Sequence, residues 1–146
     1  TNIGGWKDSE MRRYINHDVF YSLPTDLQNI IVSTKVVSGH GNTSGETNFE
    51  TQDKLYLLSI EEIYNAEASD TSLGTSKQLD YYKQLGVSET NYNDLIKQYN
   101  SNNTGWWLRS AFNLDKKGFL YVSIFGTFSD SYADSIAGIS PAFRIA

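Results

Sequence analysis

The 146 residues predict an α+β domain, and three observations carry that expectation. Apolar side chains recur at helical spacing in the first hundred positions, then alternate with a period of two from about residue 105. Trp106-Trp107-Leu108-Arg109-Ser110 reads as a strand, and Gly138-Ile139-Ser140-Pro141-Ala142-Phe143-Arg144-Ile145 supplies another that closes the chain. No internal repeat interrupts this order of helices first and antiparallel sheet afterwards.

The first helix starts at a cap expected on Asp8, with Met11, Tyr14 and Ile15 inward and Arg12, Arg13 and Asn16 outward. Trp6, just before the cap, is placed to fold back on that stripe. A second short helix follows Pro24, with Leu27, Ile30 and Ile31 on its apolar face. Ile31 to Val37 is rich in β-branched residues and predicts a strand. Residues 38–52 read as a loop, and Tyr56-Leu57-Leu58 as a strand buried on both faces. Ser59 and Glu62 form a capping box before Ile60, Ile63 and Tyr64. Residues 65–76 are polar and read as a mobile stretch.

Leu79, Tyr82 and Leu85 predict a helix ended by Gly86, and Tyr92, Leu95, Ile96 and Tyr99 predict another ended by Asn100-Ser101-Asn102-Asn103. Strands are expected near 105–110, 118–125 and 139–145, with Asp115-Lys116-Lys117-Gly118 as a hairpin turn. Residues 126–138 read as a polar loop or irregular hairpin, and Pro141 places the last strand at a sheet edge or at its own start. Neighbouring strand residues face opposite ways, so Trp106 and Trp107 cannot share one environment.

Composition narrows the function classes. One domain is expected, large enough to bury a core, and Thr1 in place of a starting Met reads as the start of a piece excised from a longer protein. With no cysteine there is no disulfide, thiolate metal site or thiol nucleophile. The net charge of −5 argues against a nucleic-acid partner, and no apolar run approaches membrane-spanning length. Acidity concentrates at 46–80, where eight carboxylates face two lysines. No metal and no cofactor are expected. His17 sits on a polar helix side and His40 between glycines, neither with a fixed catalytic partner, so no enzyme is predicted.

Ten Tyr, seven Phe and three Trp among Asn-, Ser- and Gly-rich loops match the residue set of adaptable recognition surfaces. The ligand-binding candidates are Phe128, Asp130, Ser131, Tyr132 and Asp134 in the 126–138 loop, with Trp107 and His40. Aromatic anchors beside short polar groups are what such a surface needs, although Phe128 and Tyr132 equally suit pinning the loop to the body. Trp6, Trp106, Arg109 and Arg144 are assigned structural roles. An arginine interrupting an apolar strand must be paired, here with Asp53, a helix-one acid or loop carbonyls.

In order along the chain, Gly5-Trp6, Ser9, Met11-Arg12, Leu23-Pro24, Asp53-Lys54-Leu55-Tyr56-Leu57-Leu58-Ser59 with Glu62, Tyr82, Gly86, Trp106-Trp107-Leu108-Arg109-Ser110 and Pro141-Ala142-Phe143-Arg144-Ile145 carry a resemblance. The chain resembles the bacterial domain of unknown function 6273, departing from it at 87–103 by an extra helical segment. The resemblance implies a C-type-lectin-like, sulfatase-modifying-factor-like fold: two N-terminal helices on a small twisted antiparallel sheet with long loops. The cysteine chemistry of the sulfatase-modifying proteins is excluded here. It also implies a module of bacterial surface, secreted or phage-related proteins. The expected function is a non-catalytic, extracellular module binding a glycan or a surface protein. A structural spacer or assembly unit is the alternative, and an uncharacterised hydrolase the third.

Overall fold

The computed structural model describes residues 1–64 and 77–146, and the stretch at 65–76 read as mobile lies outside the described residues. It is a mixed α+β structure of short helices and small antiparallel sheets.

The chain opens with α1 (Gly5–Asp8), entered through Gly4 at φ 77°, a left-handed conformation that glycine adopts without steric cost. The helix that follows is capped by Ser9 rather than Asp8: the Ser9 hydroxyl accepts from the Arg12 amide at 3.1 Å. This α2 (Glu10–Tyr14) runs through a π-helical turn (Ile15–Val19) into α3 (Phe20–Ser22). Each wider turn rotates the next residues away from the 3.6 register. Ile15 and Phe20 are buried and Tyr14 is exposed, whereas Asn16, expected outward, faces the body. Its amide donates to Leu55 O (2.7 Å) and its Oδ1 accepts from the Lys54 and Leu55 amides (2.8 and 3.0 Å). Arg12 also turns inward, to Asp53.

Pro24 caps α4 (Thr25–Ile30), and β1 (Ile31–Val32) and β2 (Thr34–Ser38) follow. The expected loop at 38–52 gives way to β3 (Phe49–Asp53), paired antiparallel with β2 from Ser38↔Phe49 to Thr34↔Asp53. The expected strand at 56–58 is instead an extended segment with a single bridge, Tyr56 to Ala142. The capping box then starts α5 (Ile60–Tyr64): Glu62 N donates to Ser59 Oγ (3.3 Å), and Ser59 N to Glu62 Oε2 (2.9 Å). After α6 (Asp80–Gln84) the chain leaves the helix through Gly86 at φ 68°.

The helix expected at 92–99 is absent. A 3₁₀ turn (Asn93–Leu95) leads into β4 (Lys97–Tyr99), which forms a hairpin with β5 (Asn102–Thr104). Asn100 and Ser101 both adopt positive φ, 49° and 63°, the pair of conformations a tight primed hairpin turn requires. Lys97 anchors this hairpin, its Nζ 4.6 Å from the Trp106 ring centroid and 2.8 Å from Ser140 Oγ.

The largest sheet is β6 (Trp106–Ala111), β7 (Gly118–Val122) and β8 (Phe128–Tyr132), in that order. The turn between β6 and β7 is held by Asp115, whose Oδ1 accepts from Lys117 N. β8 occupies what reads in sequence as a polar loop; it is an outer strand facing solvent along much of its length. The terminal strand is shorter than expected: β9 (Arg144–Ile145) pairs with β1, while Gly138 bridges Trp106. Arg144 is exposed there rather than buried.

All six residues of β6 are buried, and a register shift between Trp107 and Ala111 marks a bulge. Trp106 packs with Ile60, Ile63, Tyr64, Leu95 and Val122. Trp107 packs with Trp6, Ile15, Phe20, Val36 and Leu57. The two indoles thus serve two separate cores. Trp106 Nε1 donates to Leu95 O (3.1 Å), and Trp6 Nε1 to Asp53 Oδ2 (2.9 Å).

Arg109 pairs with Glu62 rather than with Asp53. The guanidinium makes a two-pronged contact with that carboxylate at 2.6 and 2.9 Å and also donates to Val37 O and Leu57 O. Asp53 serves the N-terminal helices, accepting from Trp6, from Arg12 Nε (2.7 Å) and from Thr51 Oγ1 (2.7 Å). Asp53→Ala strands an indole N–H, a hydroxyl and a guanidinium in one buried place. We expect it to cost about 3–5 kcal/mol in urea unfolding, whereas Asp18→Ala at an exposed site stays within about 0.5 kcal/mol of wild type.

Candidate functional site

A groove of about 990 Å³ lies where α1 and α2 face the β6–β7–β8 sheet. Its floor is made by residues already fixed by packing: Trp6, Leu57, Trp107 and Leu108, all buried. Met11 and Tyr14 form the helical wall, Phe119 and Tyr132 the sheet wall. Tyr14 and Tyr132 are 50% and 60% exposed, so each offers a free ring face. Trp107 is steadied by the Tyr121 ring at 5.8 Å between centroids, its neighbour across β7. The size lies at the upper end of ordinary ligand cavities, and an aromatic floor with a few polar rim groups is their usual make-up.

The rim is charged. Asp8, Glu10 and Asp134 face Arg13 and Lys117 around the opening. Arg13 and Glu10 approach to 3.4 Å, but both are largely exposed, and such a pair holds its geometry weakly. Tyr132 and Asp134 reach the rim because β8 ends in a tight turn, with Ala133 N donating to Lys117 O and Ser135 N to Tyr132 O.

Of the ligand-binding candidates, the fold brings Trp107, Tyr132 and Asp134 together in this groove. Phe128, Asp130, Ser131 and His40 do not line it. Phe128 is half-buried against the Tyr64 ring, 5.2 Å between centroids, and pins β8 to the core. Asp130 is exposed, and Ser131 Oγ donates to Ser135 Oγ within its own turn. His40 belongs to the segment that wraps the first turn of the chain, where Gly4 N donates to Glu46 Oε1. Its Nδ1 is buried without a hydrogen-bond partner, as are Asn2 Oδ1, Ser38 Oγ, Thr43 Oγ1 and Glu46 Oε2. No group of three or more His, Asp or Glu side chains among the described residues is arranged to hold a metal ion.

Sequence reasoning missed the helical wall. Met11 and Tyr14 carry a helical stripe, which reads as a core face; Tyr14 is instead half exposed at the groove. Phe119 carried no signal beyond its place in an expected strand.

A small α+β domain with a charged, aromatic-floored groove and no cysteine is the class these features define. Within that class the chain belongs to the family described as domain of unknown function (DUF6273), whose model matches residues 1–146. No curated protein and no solved structure matches it.

Tyr64 fixes the base of the β7–β8 hairpin, donating to Gly126 O. Gly126 has φ 86°, and a Cβ there would strike the Tyr92 carbonyl, so the turn admits no larger residue. Burial, and secondarily the Tyr82 hydroxyl, push the Tyr64 pKa well above the ordinary value of 10.0. The unfolded chain ionises this group near pH 10 and the folded chain only above it. The stability it contributes is therefore complete below pH 10 and is lost as the pH rises beyond. Tyr64→Phe is expected to cost about 1 kcal/mol at neutral pH and to make the alkaline decline shallower. Urea unfolding on both sides of pH 10 measures both effects.

Proposed function

We propose that this domain is a non-catalytic binding module that holds a glycan in the groove between the N-terminal helices and the β6–β7–β8 sheet. The observation that carries the reading is the groove itself: a packed indole floor at Trp107 between two tyrosines with free faces, Tyr14 and Tyr132. Sugar rings present flat C–H faces that stack on aromatic rings, and their hydroxyls need short, fixed polar partners. Asp8, Asp134 and Lys117 stand at the edge to supply them. A protein loop carrying an aromatic or aliphatic anchor is the second occupant that the same geometry suits.

The finer fold reading belongs here as well. A C-type-lectin-like scaffold is supported by helices gathered at the N-terminal side of a three-stranded antiparallel sheet. Antiparallel pairing of β1 with β9 also ties the end of the chain to its first third. The proposed setting, extracellular or at the cell surface with recognition as the task, rests on the family resemblance to modules of bacterial surface and secreted proteins.

Tyr132→Ala removes an exposed ring and should leave the melting temperature within about 2 °C of wild type. Binding on a glycan array and to bacterial cell walls should fall by roughly tenfold or more, as expected for loss of a stacking anchor. Equal binding by wild type and variant would overturn the groove as the site. Failure of the wild type to bind any glycan or wall fraction, together with self-association in solution, would support the assembly-unit alternative.

A further inference from the structure

A second cavity shares none of its lining with the groove and has the opposite character. It is smaller, about 270 Å³, and lies between β2, Tyr56, the start of α6 and Arg144. Four basic side chains line it, Lys35, Lys77, Arg109 and Arg144, against the single carboxylate of Glu62. That concentration stands out in a chain of net charge −5.

The carboxylate is already committed. Both Glu62 oxygens bind the Arg109 guanidinium, and Oε2 also caps α5 through Ser59 N. Lys35 is engaged from outside by Glu50 at 2.6 Å. Lys77 and Arg144 are exposed and form no ion pair among the described residues. The floor is unusual in a second way. Thr34 is 4% exposed, lines this cavity, and its hydroxyl is buried with no hydrogen-bond partner. A buried hydroxyl left so costs free energy that a bound acceptor recovers. Arg109 has four N–H donations to Val37, Leu57 and Glu62, and a guanidinium carries five such bonds, so one remains to offer.

We propose that this pocket binds a compact oxyanion, a phosphate, sulfate or carboxylate group. Lys77 and Arg144 supply the charge, the Thr34 hydroxyl and the spare Arg109 N–H the directed hydrogen bonds. The volume admits the anionic group with a small attached body and excludes a polymer chain from its interior. Arg144 is delivered by the pairing of β9 with β1, so the chain's last strand completes the site. The site does not depend on the glycan reading of the groove, since no residue is common to the two.

The test is calorimetric titration of the intact domain with inorganic phosphate, sodium sulfate and sodium acetate, at ionic strength held constant with chloride. A monosaccharide phosphate forms a further arm, separating the free ion from an ion borne on a larger molecule. Saturable one-to-one binding of at least one oxyanion is expected, with a rise in melting temperature that chloride does not give. Lys77→Gln with Arg144→Gln removes two exposed charges, so the unliganded melting temperature should stay as in wild type while affinity falls roughly tenfold or more. Thr34→Val, which keeps the shape of the side chain, should weaken oxyanion binding and leave binding in the groove unchanged. Absence of saturable binding by every oxyanion at concentrations up to about 10 mM, or equal binding by wild type and the Lys77/Arg144 double variant, overturns the proposal.

Discussion

The buried guanidinium of Arg109 is the constraint around which the domain is organised. It sits in the middle of β6, 2% exposed, and reaches the backbone of β2 at Val37, the extended segment at Leu57 and the first turn of α5 at Glu62. These segments are far apart in sequence, and a charge buried among them tolerates no alternative arrangement that leaves it unpaired. Such a pair gives little net stability over a well-packed apolar equivalent. Its effect lies in the large penalty for breaking it. In a chain without disulfides, that penalty helps to select one assembly of short elements from many.

From Arg109 outward, the two cores follow. β6 is buried throughout, so its alternating side chains must go into two different interiors. Trp106 and Leu108 enter the core roofed by α5, and Trp107 enters the one closed by α1 and the π-helical stretch. Asp53 plays for the second core the part that Glu62 plays near the first, collecting the Trp6 indole and the Arg12 guanidinium. The groove exists because that second core is covered incompletely. The N-terminal helices close over Trp6 and Ile15 but leave the Tyr14 face and the sheet edge at Phe119 and Tyr132 apart.

What was legible in the sequence was local. The Ser59–Glu62 box, the Gly86 exit and the Asp115 turn each depend on residues within a few positions of one another, and each appears where its residues predict. The division of labour between the two tryptophans was legible for the same reason, since strand alternation needs no partner to be known. The pairing of Arg109 was not legible, because its carboxylate lies 47 residues away and several others were available. The stripe at 92–99 misled because apolar spacing over eight residues fits a short helix and a turn-plus-hairpin alike. The decisive signal, positive φ at Asn100 and Ser101, is a property of the folded backbone. β8 looked like loop for a related reason: an outer strand with much exposed surface has no need of apolar alternation. Of the candidate groove, the sheet side at Trp107, Tyr132 and Asp134 stands out in the sequence, whereas Tyr14 does not, because an apolar helical stripe does not tell which of its members stays exposed.

The same strand also sets the electrical contrast between the two cavities. Trp107 and Leu108 border the groove, while their neighbour Arg109 borders the second pocket. One rim carries three carboxylates against two cations; the other carries four cations against one carboxylate that is already bound. A ligand rich in negative charge is therefore disfavoured at the aromatic groove and favoured at the smaller pocket, and a neutral ring is favoured where it can stack. Because charge attracts the ligand at the pocket, rising ionic strength should erode binding there far more than at the groove, where contact is chiefly apolar. That asymmetry follows from residue types on adjacent positions of a single buried strand. β6 thus borders both cavities as well as both cores.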